Sequence, residues 1–324
     1  MTRPYILRKG VSYLRDLADG ALADLPYVGS KYFLDPTNGN DSNSGTESDK
    51  AFKSWTVAYA ALTADQHDVL FYISGTSSLT LSAAATWAKS YTHFVGLCAP
   101  TRVAQRSRIF QLSTLTAASP LLNITGSGCI FKDFYIFQGV ADNTSLINVQ
   151  VTGDRNYFGN VHFAGGGHAT QAIDGGASLK LDAGYENCFV GCTIGIDTIA
   201  AATGMAGVLF DSASGRNEFY DCTFLLYAGH IGAKFVEVVD NAGFDRYILF
   251  DNCRFINDAT DYTLTEAITV PSGMGSDTHR IICKDCVFLG VTDIEGSNRG
   301  IVYANMGAIT AGGNSGLMQA TNTT

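Results

Sequence analysis

Residues 216–224 read Arg-Asn-Glu-Phe-Tyr-Asp-Cys-Thr-Phe, and the same phrase recurs along the chain. Versions of it occupy residues 128–136, 156–163, 186–194, 247–255 and 280–288. When the copies are aligned on the small or polar residue at their centre, consecutive copies are 27, 31, 30, 31 and 33 residues apart. A repeat with a period of 20 to 50 residues is typical of a solenoid or another stacked array.

Each copy predicts two short strands that are joined at a one-residue corner. Apolar and polar residues alternate before the corner, and Cys-x-Phe or Cys-x-Ile follows it in the later copies. The corner residues are types that tolerate turn and left-handed conformations: Asp133, Asn160, Gly191, Asp221, Asn252 and Asp285. A third apolar strand is predicted between copies, at residues 146–149, 208–210, 235–238, 267–270 and 301–303.

Three strands in one period of about 30 residues predict one coil of a right-handed parallel β-helix. The predicted fold class is therefore all-β, with about eight coils between residues 67 and 303. Residues 76–89, between the strands near 69–73 and 93–98, are predicted to form a longer loop. Leucine-rich repeats and propeller blades have similar periods, but the Leu/Asn and Trp-Asp signatures of those folds are absent.

Composition indicates which binding partners and which cellular compartment are expected for this protein. The chain of 324 residues has a formal charge of −9 and a pI near 5.0, which argues against nucleic acid as a partner. Because no run approaches 18 consecutive apolar residues, no membrane span is expected. The first residues lack the apolar run of a secretory signal, so we expect folding in a reducing cytosol.

Four of the eight cysteines share one repeat position: Cys192, Cys222, Cys253 and Cys286. Equivalent residues on successive coils stack about 4.8 Å apart with their side chains parallel. A disulfide requires Cβ atoms about 3.8 Å apart and an oxidising compartment, so a disulfide framework is not favoured. Zinc binding by Cys283-x-x-Cys286 lacks a second cysteine pair at suitable spacing. We predict a reduced ladder of cysteines that are buried as small apolar residues.

Residues 1–30 differ from the repeats. Apolar residues at i, i+3 and i+4 spacing predict one short amphipathic helix, and the segment is basic within an acidic protein. Two interpretations remain open: an anchor that docks on another protein, or a cap that shields the first coil. The residues predicted to dock are Arg3, Arg8, Lys9, Val11, Leu14, Arg15 and Leu17.

Residues 31–46 read Lys-Tyr-Phe-Leu-Asp-Pro-Thr-Asn-Gly-Asn-Asp-Ser-Asn-Ser-Gly-Thr, and residues 51–62 read Ala-Phe-Lys-Ser-Trp-Thr-Val-Ala-Tyr-Ala-Ala-Leu. They predict a strand, a loop rich in Asn and Asp, and a short helix. This stretch resembles the opening of pectate-lyase-like right-handed parallel β-helix proteins, which include many phage tailspikes. The loop residues Asp35, Asn38, Asn40 and Asp41 suggest either calcium ligands or side-chain-stabilised turns. Turns are favoured because the Gly and Glu spacing of an EF-hand is missing.

These patterns divide the chain into four parts. Residues 1–30 are an N-terminal arm, and residues 31–66 are the opening strand and a capping helix. Residues 67–303 are the β-helix, and residues 304–324 are a Gly- and Thr-rich tail that is flexible or ordered by a partner chain.

Members of the family that this chain resembles include enzymes that cleave polysaccharides with clustered or paired carboxylates. Aspartates recur only at the corners, where Asn and Gly replace them in other copies, so turn formation explains them. His162 and His168 flank a Gly-rich loop without a nucleophile motif. We therefore predict no catalytic residue, no metal and no cofactor.

Two sets of residues could instead bind a glycan. Arg216, Arg246 and Arg280 either form a basic ladder or pair with Asp211, Asp245 or Asp277. Six tyrosines are candidates for outward stacking on sugars, although their spacing also fits internal packing: Tyr135, Tyr157, Tyr185, Tyr220, Tyr227 and Tyr247.

The whole chain resembles the short β-helix proteins that tailed phages carry as virion components. That resemblance implies a structural role and a homotrimer. The prediction is a non-enzymatic head decoration protein on the particle surface, made in the host cytoplasm and bound to the major capsid protein or another virion protein. The alternative is a tail-borne tailspike or adhesin that binds or cleaves a host-surface polysaccharide.

Overall fold

A computed structural model of the chain describes residues 29–274, 279–295, 301–304, 309–310 and 314–315. The seven predicted docking residues and most of the predicted tail lie outside these residues. The described part is a right-handed parallel β-helix of about seven turns, which confirms the predicted fold class. The number of turns is slightly lower than the predicted value of about eight. Right-handed connections between parallel strands are the general rule, because strand twist favours them.

Three long sheets run along the solenoid, and each turn contributes one strand to each sheet. Sheet A contains β1 (Lys31–Leu34), β2 (Val69–Ile73), β5 (His93–Leu97), β8 (Ile130–Lys132), β11 (Tyr157–Gly159), β14 (Cys188–Val190), β17 (Asn217–Tyr220), β20 (Tyr247–Asp251), β24 (Arg280–Lys284) and β27 (Ile301–Ala304). Sheet B contains β3 (Leu79–Leu81), β6 (Arg108–Gln111), β9 (Tyr135–Phe137), β12 (His162–Ala164), β15 (Thr193–Ala201), β18 (Thr223–Ala228), β21 (Arg254–Asn257), β25 (Val287–Leu289), β28 (Ile309–Thr310) and β29 (Asn314–Ser315).

The third sheet closes each turn. Sheet C contains β4 (Ala85–Trp87), β7 (Leu122–Ile124), β10 (Ile147–Val151), β13 (Ala177–Asp182), β16 (Ala206–Asp211), β19 (Lys234–Val238) and β23 (Ile268–Thr269). A small separate pair is formed by β22 (Leu264–Glu266) and β26 (Val291–Asp293). Neighbouring strands are parallel except at β29, which pairs antiparallel with β25 and β28.

Two strand predictions were wrong. Residues 76–89 are not a loop, because β3 and β4 lie there and bury Leu79, Leu81 and Trp87. Each of these strands has only three residues, so its alternation of apolar and polar residues is too short to distinguish it from a loop. The strand at 301–304 pairs with β24 and so belongs to sheet A, not to the third sheet.

The corner between sheets A and B has the predicted chemistry. All six predicted corner residues have positive φ, between 51° and 61°. Only Gly, and to a lesser degree Asn and Asp, reach this left-handed region at low cost. The one-residue corner therefore suits the Asp, Asn and Gly residues at the centre of the repeat.

Inside the solenoid, equivalent side chains form ladders. The rings of Phe131, Phe158, Phe189, Phe219 and Phe250 stack with centroid separations of 5.1, 4.6, 4.5 and 5.1 Å. Strand alternation sends these rings inward, and in-register pairing places each ring over the next. A second buried ladder lines the corner from sheet C to sheet A, where the side-chain oxygen of Asn217 accepts from Asn187 N, and that of Asn187 from Asn156 N.

The predicted cysteine ladder is confirmed. Cys192, Cys222, Cys253 and Cys286 are between 0% and 3% exposed, and all eight cysteines are free thiols. Each ladder thiol donates to a carbonyl of the preceding turn: Cys192 to Phe158 O at 3.4 Å, Cys222 to Phe189 O at 3.5 Å, Cys253 to Phe219 O at 3.4 Å and Cys286 to Phe250 O at 3.3 Å. Burial raises the pKa of Cys192 and of Cys253 well above that of a free thiol.

A short helix, α1 (Trp55–Ala61), covers the N-terminal end of the core. The Ser54 hydroxyl accepts from Val57 N at 3.4 Å and so caps the helix. The Trp55 ring packs 5.7 Å from that of Trp87 and 5.6 Å from that of Phe94.

The Asx-rich loop before α1 forms turns, as predicted. The Asp35 carboxylate accepts from Thr37 N at 2.8 Å and Asn38 N at 3.0 Å, and that of Asp41 accepts from Lys53 N and Ser54 N. A one-turn 3₁₀ helix follows at Ser48–Lys50. In the described residues, no helix has the length and apolar character needed to cross a membrane.

Candidate functional site

Residues 98–107, hereafter the strap, connect β5 to β6 and lie across the corners between sheets A and B. The strap is bound to the carbonyl groups of three corner residues: Cys98 Sγ donates to Asp133 O at 3.3 Å, Gln105 Nε2 to Asn160 O at 2.7 Å, and Arg102 Nη1 to Asp221 O at 2.9 Å. These corners belong to different turns, so the strap crosses several coils and has a fixed position over them.

His162 supports the strap from the outer face of sheet B. Its Nδ1 accepts from Ala104 N at 3.1 Å, and its Nε2 lies 2.9 Å from Gly195 O, so the neutral ring donates from Nε2. Burial lowers the pKa of His162 to about 4. His168 instead contacts Thr170 within its own loop. The two histidines therefore have separate structural contacts, and the structure gives them no shared site.

A cleft of about 390 Å³ lies between the strap and the outer face of sheet A. Arg102, Lys132 and Asp133 provide charged groups in its lining, and Tyr157 provides an aromatic ring. Its lining also contains Gly159 and Gly191, together with Pro100, Asn160 and Val190. The two cations outnumber the one carboxylate, so the cleft favours a ligand that carries negative charge.

The glycines give the cleft its shape. A Cβ atom on Gly159 would lie 2.9 Å from the Tyr157 ring, and one on Gly191 would lie 3.0 Å from Arg102 Nη1. Gly191 also has a φ of 61°, which disfavours a side chain there. Both positions therefore allow Tyr157 and Arg102 to lie close against the sheet.

Farther along the same face, Glu218 binds two tyrosines. Its Oε2 accepts from Tyr220 Oη at 2.5 Å, and its Oε1 accepts from Tyr247 Oη at 2.8 Å. Burial, followed by the hydrogen bond to Glu218, raises the pKa of Tyr247 to about 12. Tyr247 is partly exposed, whereas Tyr220 is 8% exposed.

A row of charged residues borders this face at the corner from sheet C to sheet A. Arg155, Glu186, Arg216 and Arg246 occupy equivalent left-handed positions on successive turns. Glu186 pairs with Arg216 and, at 2.8 Å, with Arg155. Asp211, one of the candidate partners for these arginines, lies on sheet C and binds Lys180 instead. Arg246 does pair with Asp245, at 3.3 Å.

One pair of carboxylates that lie one turn apart is not predicted from the sequence. Asp182 and Asp211 are in register on β13 and β16, and Lys180 Nζ lies 3.1 and 2.9 Å from them. Burial alone would raise the pKa of Asp211, but the hydrogen bond and charge of Lys180 outweigh it and lower that pKa. A carboxylate with a lowered pKa is a poor general acid, so this pair serves as an ion pair.

The tyrosine candidates, for which outward stacking and internal packing are both open from the sequence, face outward on the strands, although Tyr135 and Tyr220 are buried there. Tyr157, Tyr220 and Tyr247 alternate with core residues of sheet A and face outward. Tyr135 faces outward on sheet B, where it packs against Phe110 and His162. Tyr185 and Tyr227 are partly exposed. Among the residues that the structure describes, no group of three or more His, Cys, Asp or Glu side chains could hold a metal ion.

Comparison with known proteins supports the fold. No family model matches the chain, and no curated protein matches it in sequence. Solved structures with similar folds include a rhamnogalacturonan lyase (TM-score 0.55, 16% identity), the pectate lyase Pel9A (0.54, 15%) and a pectin methylesterase from Aspergillus niger (0.54, 15%). The alignments cover 80%, 80% and 86% of this chain and 68%, 63% and 81% of those proteins. The chain thus has the pectate-lyase-like parallel β-helix fold.

Proposed function

We propose that the protein binds a linear acidic polysaccharide along the outer face of sheet A. The observation that carries this proposal is the cleft beside the strap, which combines an aromatic ring with a local excess of positive charge. The similar solved structures are enzymes named for rhamnogalacturonan, pectate and pectin, which supports a polysaccharide as the ligand class.

The chemistry of the cleft suits a sugar acid. The face of the Tyr157 ring offers an apolar surface for a pyranose ring, as aromatic side chains do in many ligand sites. Arg102 and Lys132 provide donors for a carboxylate or sulfate group. The strap forms one wall, and its hydrogen bonds to three corners keep that wall in place before a ligand arrives.

We propose binding without cleavage. Four carboxylates near this face already have partners: Asp133 of the cleft accepts from Asn160, Glu218 accepts from two tyrosines, Glu186 pairs with arginines, and Asp251 pairs with Lys284. Release of reducing or unsaturated ends from polygalacturonate, lost on changing Asp133, Glu218 or Asp251, would replace this proposal with an enzymatic one.

A binding role fits a tail-borne adhesin or tailspike of a phage better than it fits a head decoration protein. The decoration role, attachment to a capsid protein and the homotrimer all stay predictions. The residues predicted to dock lie between Arg3 and Leu17, outside the described residues. Copurification of the protein with isolated tails or with emptied heads separates the two locations.

The proposal is tested by affinity electrophoresis in gels that contain polygalacturonate, hyaluronan or dextran. We expect retardation in at least one acidic gel and none in neutral dextran. Tyr157→Ala and Lys132→Met should each reduce the retardation at least several-fold. The matched controls are Tyr262→Ala, an exposed tyrosine outside the cleft, and Lys53→Met, an exposed lysine beside α1. Equal retardation in acidic gels for the cleft variants and the wild type would overturn the proposal.

A further inference from the structure

Glu218 and its two tyrosines form a second feature of the sheet A face, outside the cleft. A carboxylate on this surface normally has water as its partner, but both oxygens of Glu218 accept from phenol groups. The two hydrogen bonds hold the tips of Tyr220 and Tyr247, which sit on successive turns. The Tyr247 ring is therefore fixed in orientation while it remains partly exposed.

The strand register places Glu218 in line with the cleft and Tyr247 beside that line. Tyr157 pairs with Cys188, and Cys188 pairs with Glu218, so the three lie at equivalent outward positions on consecutive turns. On the next turn Leu249 pairs with Glu218, and Tyr247 lies two residues before Leu249 on that strand, with its hydroxyl reaching back to Glu218. Three strand spacings of about 4.8 Å separate the turns of Tyr157 and Tyr247, a distance of about 14 Å along the solenoid. A glycan bound in the cleft and running along the sheet reaches Tyr247 after a few sugar units.

The charges around Tyr247 differ from those in the cleft. The carboxylates of Glu186 and Asp251 each pair with cations of the same face, Arg216 and Lys284 respectively. The carboxylate of Glu218 carries a negative charge next to the ring. Arg280 pairs in register with Tyr247 on the next turn, so cations and carboxylates both neighbour the ring, without the excess of cations that the cleft has. An uncharged sugar can stack on a ring in such surroundings and donate hydroxyl hydrogens to nearby carboxylates.

We propose that Tyr247 is a second subsite, which takes an uncharged pyranose unit of the same glycan, and that Glu218 is the positioning residue that orients the Tyr247 ring. This inference rests on the proposed function of the cleft. It narrows the ligand from an acidic polysaccharide to one in which acidic and uncharged sugars both occur. Glu218 acts through Tyr247 and does not itself need to touch the glycan.

The test compares hyaluronan oligosaccharides of two and ten units with an octamer of galacturonate, by calorimetric titration of the full chain. The decasaccharide, which alternates acidic and uncharged sugars, should bind more tightly than the disaccharide and the galacturonate octamer. Tyr247→Ala should weaken the decasaccharide about tenfold and leave the disaccharide within about twofold. Tyr157→Ala should weaken both.

Glu218→Gln tests the positioning role with a spectroscopic measurement. It should weaken the decasaccharide about threefold, and in an alkaline ultraviolet titration Tyr220 and Tyr247 should both ionise at a lower pH than in the wild type, because Glu218 raises the pKa of each. Unchanged circular dichroism shows that each variant is folded. If Tyr157→Ala weakens both oligosaccharides but Tyr247→Ala weakens neither, the second subsite is wrong and the cleft stands. If none of the three probes binds the wild type, both proposals fall.

Discussion

The inner and outer sides of sheet A follow opposite rules, although they belong to the same strands. On five successive turns the inward residues are all phenylalanine: Phe131, Phe158, Phe189, Phe219 and Phe250. The outward residues that directly follow them are all different: Lys132, Gly159, Val190, Tyr220 and Asp251. Because equal rings stack on one another, the same packing arrangement fills the narrow core on each of these turns. The outer side has no such constraint, so its chemistry can vary along the solenoid.

The largest expected effect comes from breaking the inner ladder. Phe219 is fully buried, and its ring centroid lies 4.5 Å from that of Phe189 and 5.1 Å from that of Phe250. Phe219→Ala should lower the free energy of unfolding by about 3–5 kcal/mol, because it leaves a cavity between two rings that cannot close it. Urea unfolding followed by circular dichroism measures this loss.

The matched control removes a ring of similar size from the outer side. Tyr157→Ala should cost less than about 1 kcal/mol, since Tyr157 is partly exposed and lies outside the core. If the two variants shift the urea midpoint equally, the distinction between the inner and the outer side is wrong.

A second prediction concerns pH, through a histidine on the outer side that is nevertheless buried. His162 has a pKa of about 4 in the folded chain, compared with about 6.5 when unfolded. Between these values the unfolded state binds a proton that the folded state does not, so stability falls as pH decreases from about 6.5 to 4. The loss from this residue approaches about 3 kcal/mol, and His93, whose pKa burial also lowers to about 4, adds to it.

His162→Gln removes the titrating group while it keeps a side chain that can accept from Ala104 N. The variant should therefore lose less stability than the wild type between pH 7 and pH 4.5, as measured by urea midpoints. An unchanged pH dependence would mean that the strap is not sensitive to the charge on His162.

The contrast between the two sides also explains what the sequence could predict. The corner residues and the cysteine ladder recur at one period, so each copy supports the others, and the structure confirms both. The strap lies outside the repeated phrase, and Arg102 binds a carbonyl 119 residues away. Alternation placed Tyr157 and Tyr247 as outward candidates, but it could not identify Lys132 or Glu218 as their neighbours. Those neighbours depend on register between turns and on the path of a single loop.

A third prediction tests the cysteine ladder, where the effect is smaller. Cys222 is fully buried, and its thiol donates to Phe189 O. Cys222→Ala should cost about 1–2 kcal/mol through lost packing around a small side chain. Cys98→Ala, at a partly exposed thiol of the strap, should cost less. A ladder variant with the stability of the wild type would show that the sulfur atoms contribute little to the core.

The smallest effect is expected from thiols on the two sides of one turn. Cys188 faces outward between Tyr157 and Glu218, whereas Cys192 faces inward on the same turn. Burial, followed by the charge of Glu218, raises the pKa of Cys188 to about 12, so we expect slow alkylation even though the side chain is partly exposed.

Glu218→Gln removes the charge and should speed alkylation of Cys188 by iodoacetamide by less than about tenfold, with little change in stability. Cys192 should stay unmodified in both proteins, because its reaction requires unfolding of the core. Peptide mass spectrometry distinguishes the two thiols. If Cys192 reacted as fast as Cys188, the core would not protect the inner thiols. If Glu218→Gln left the alkylation rate of Cys188 unchanged, the charge of Glu218 would not act on that thiol.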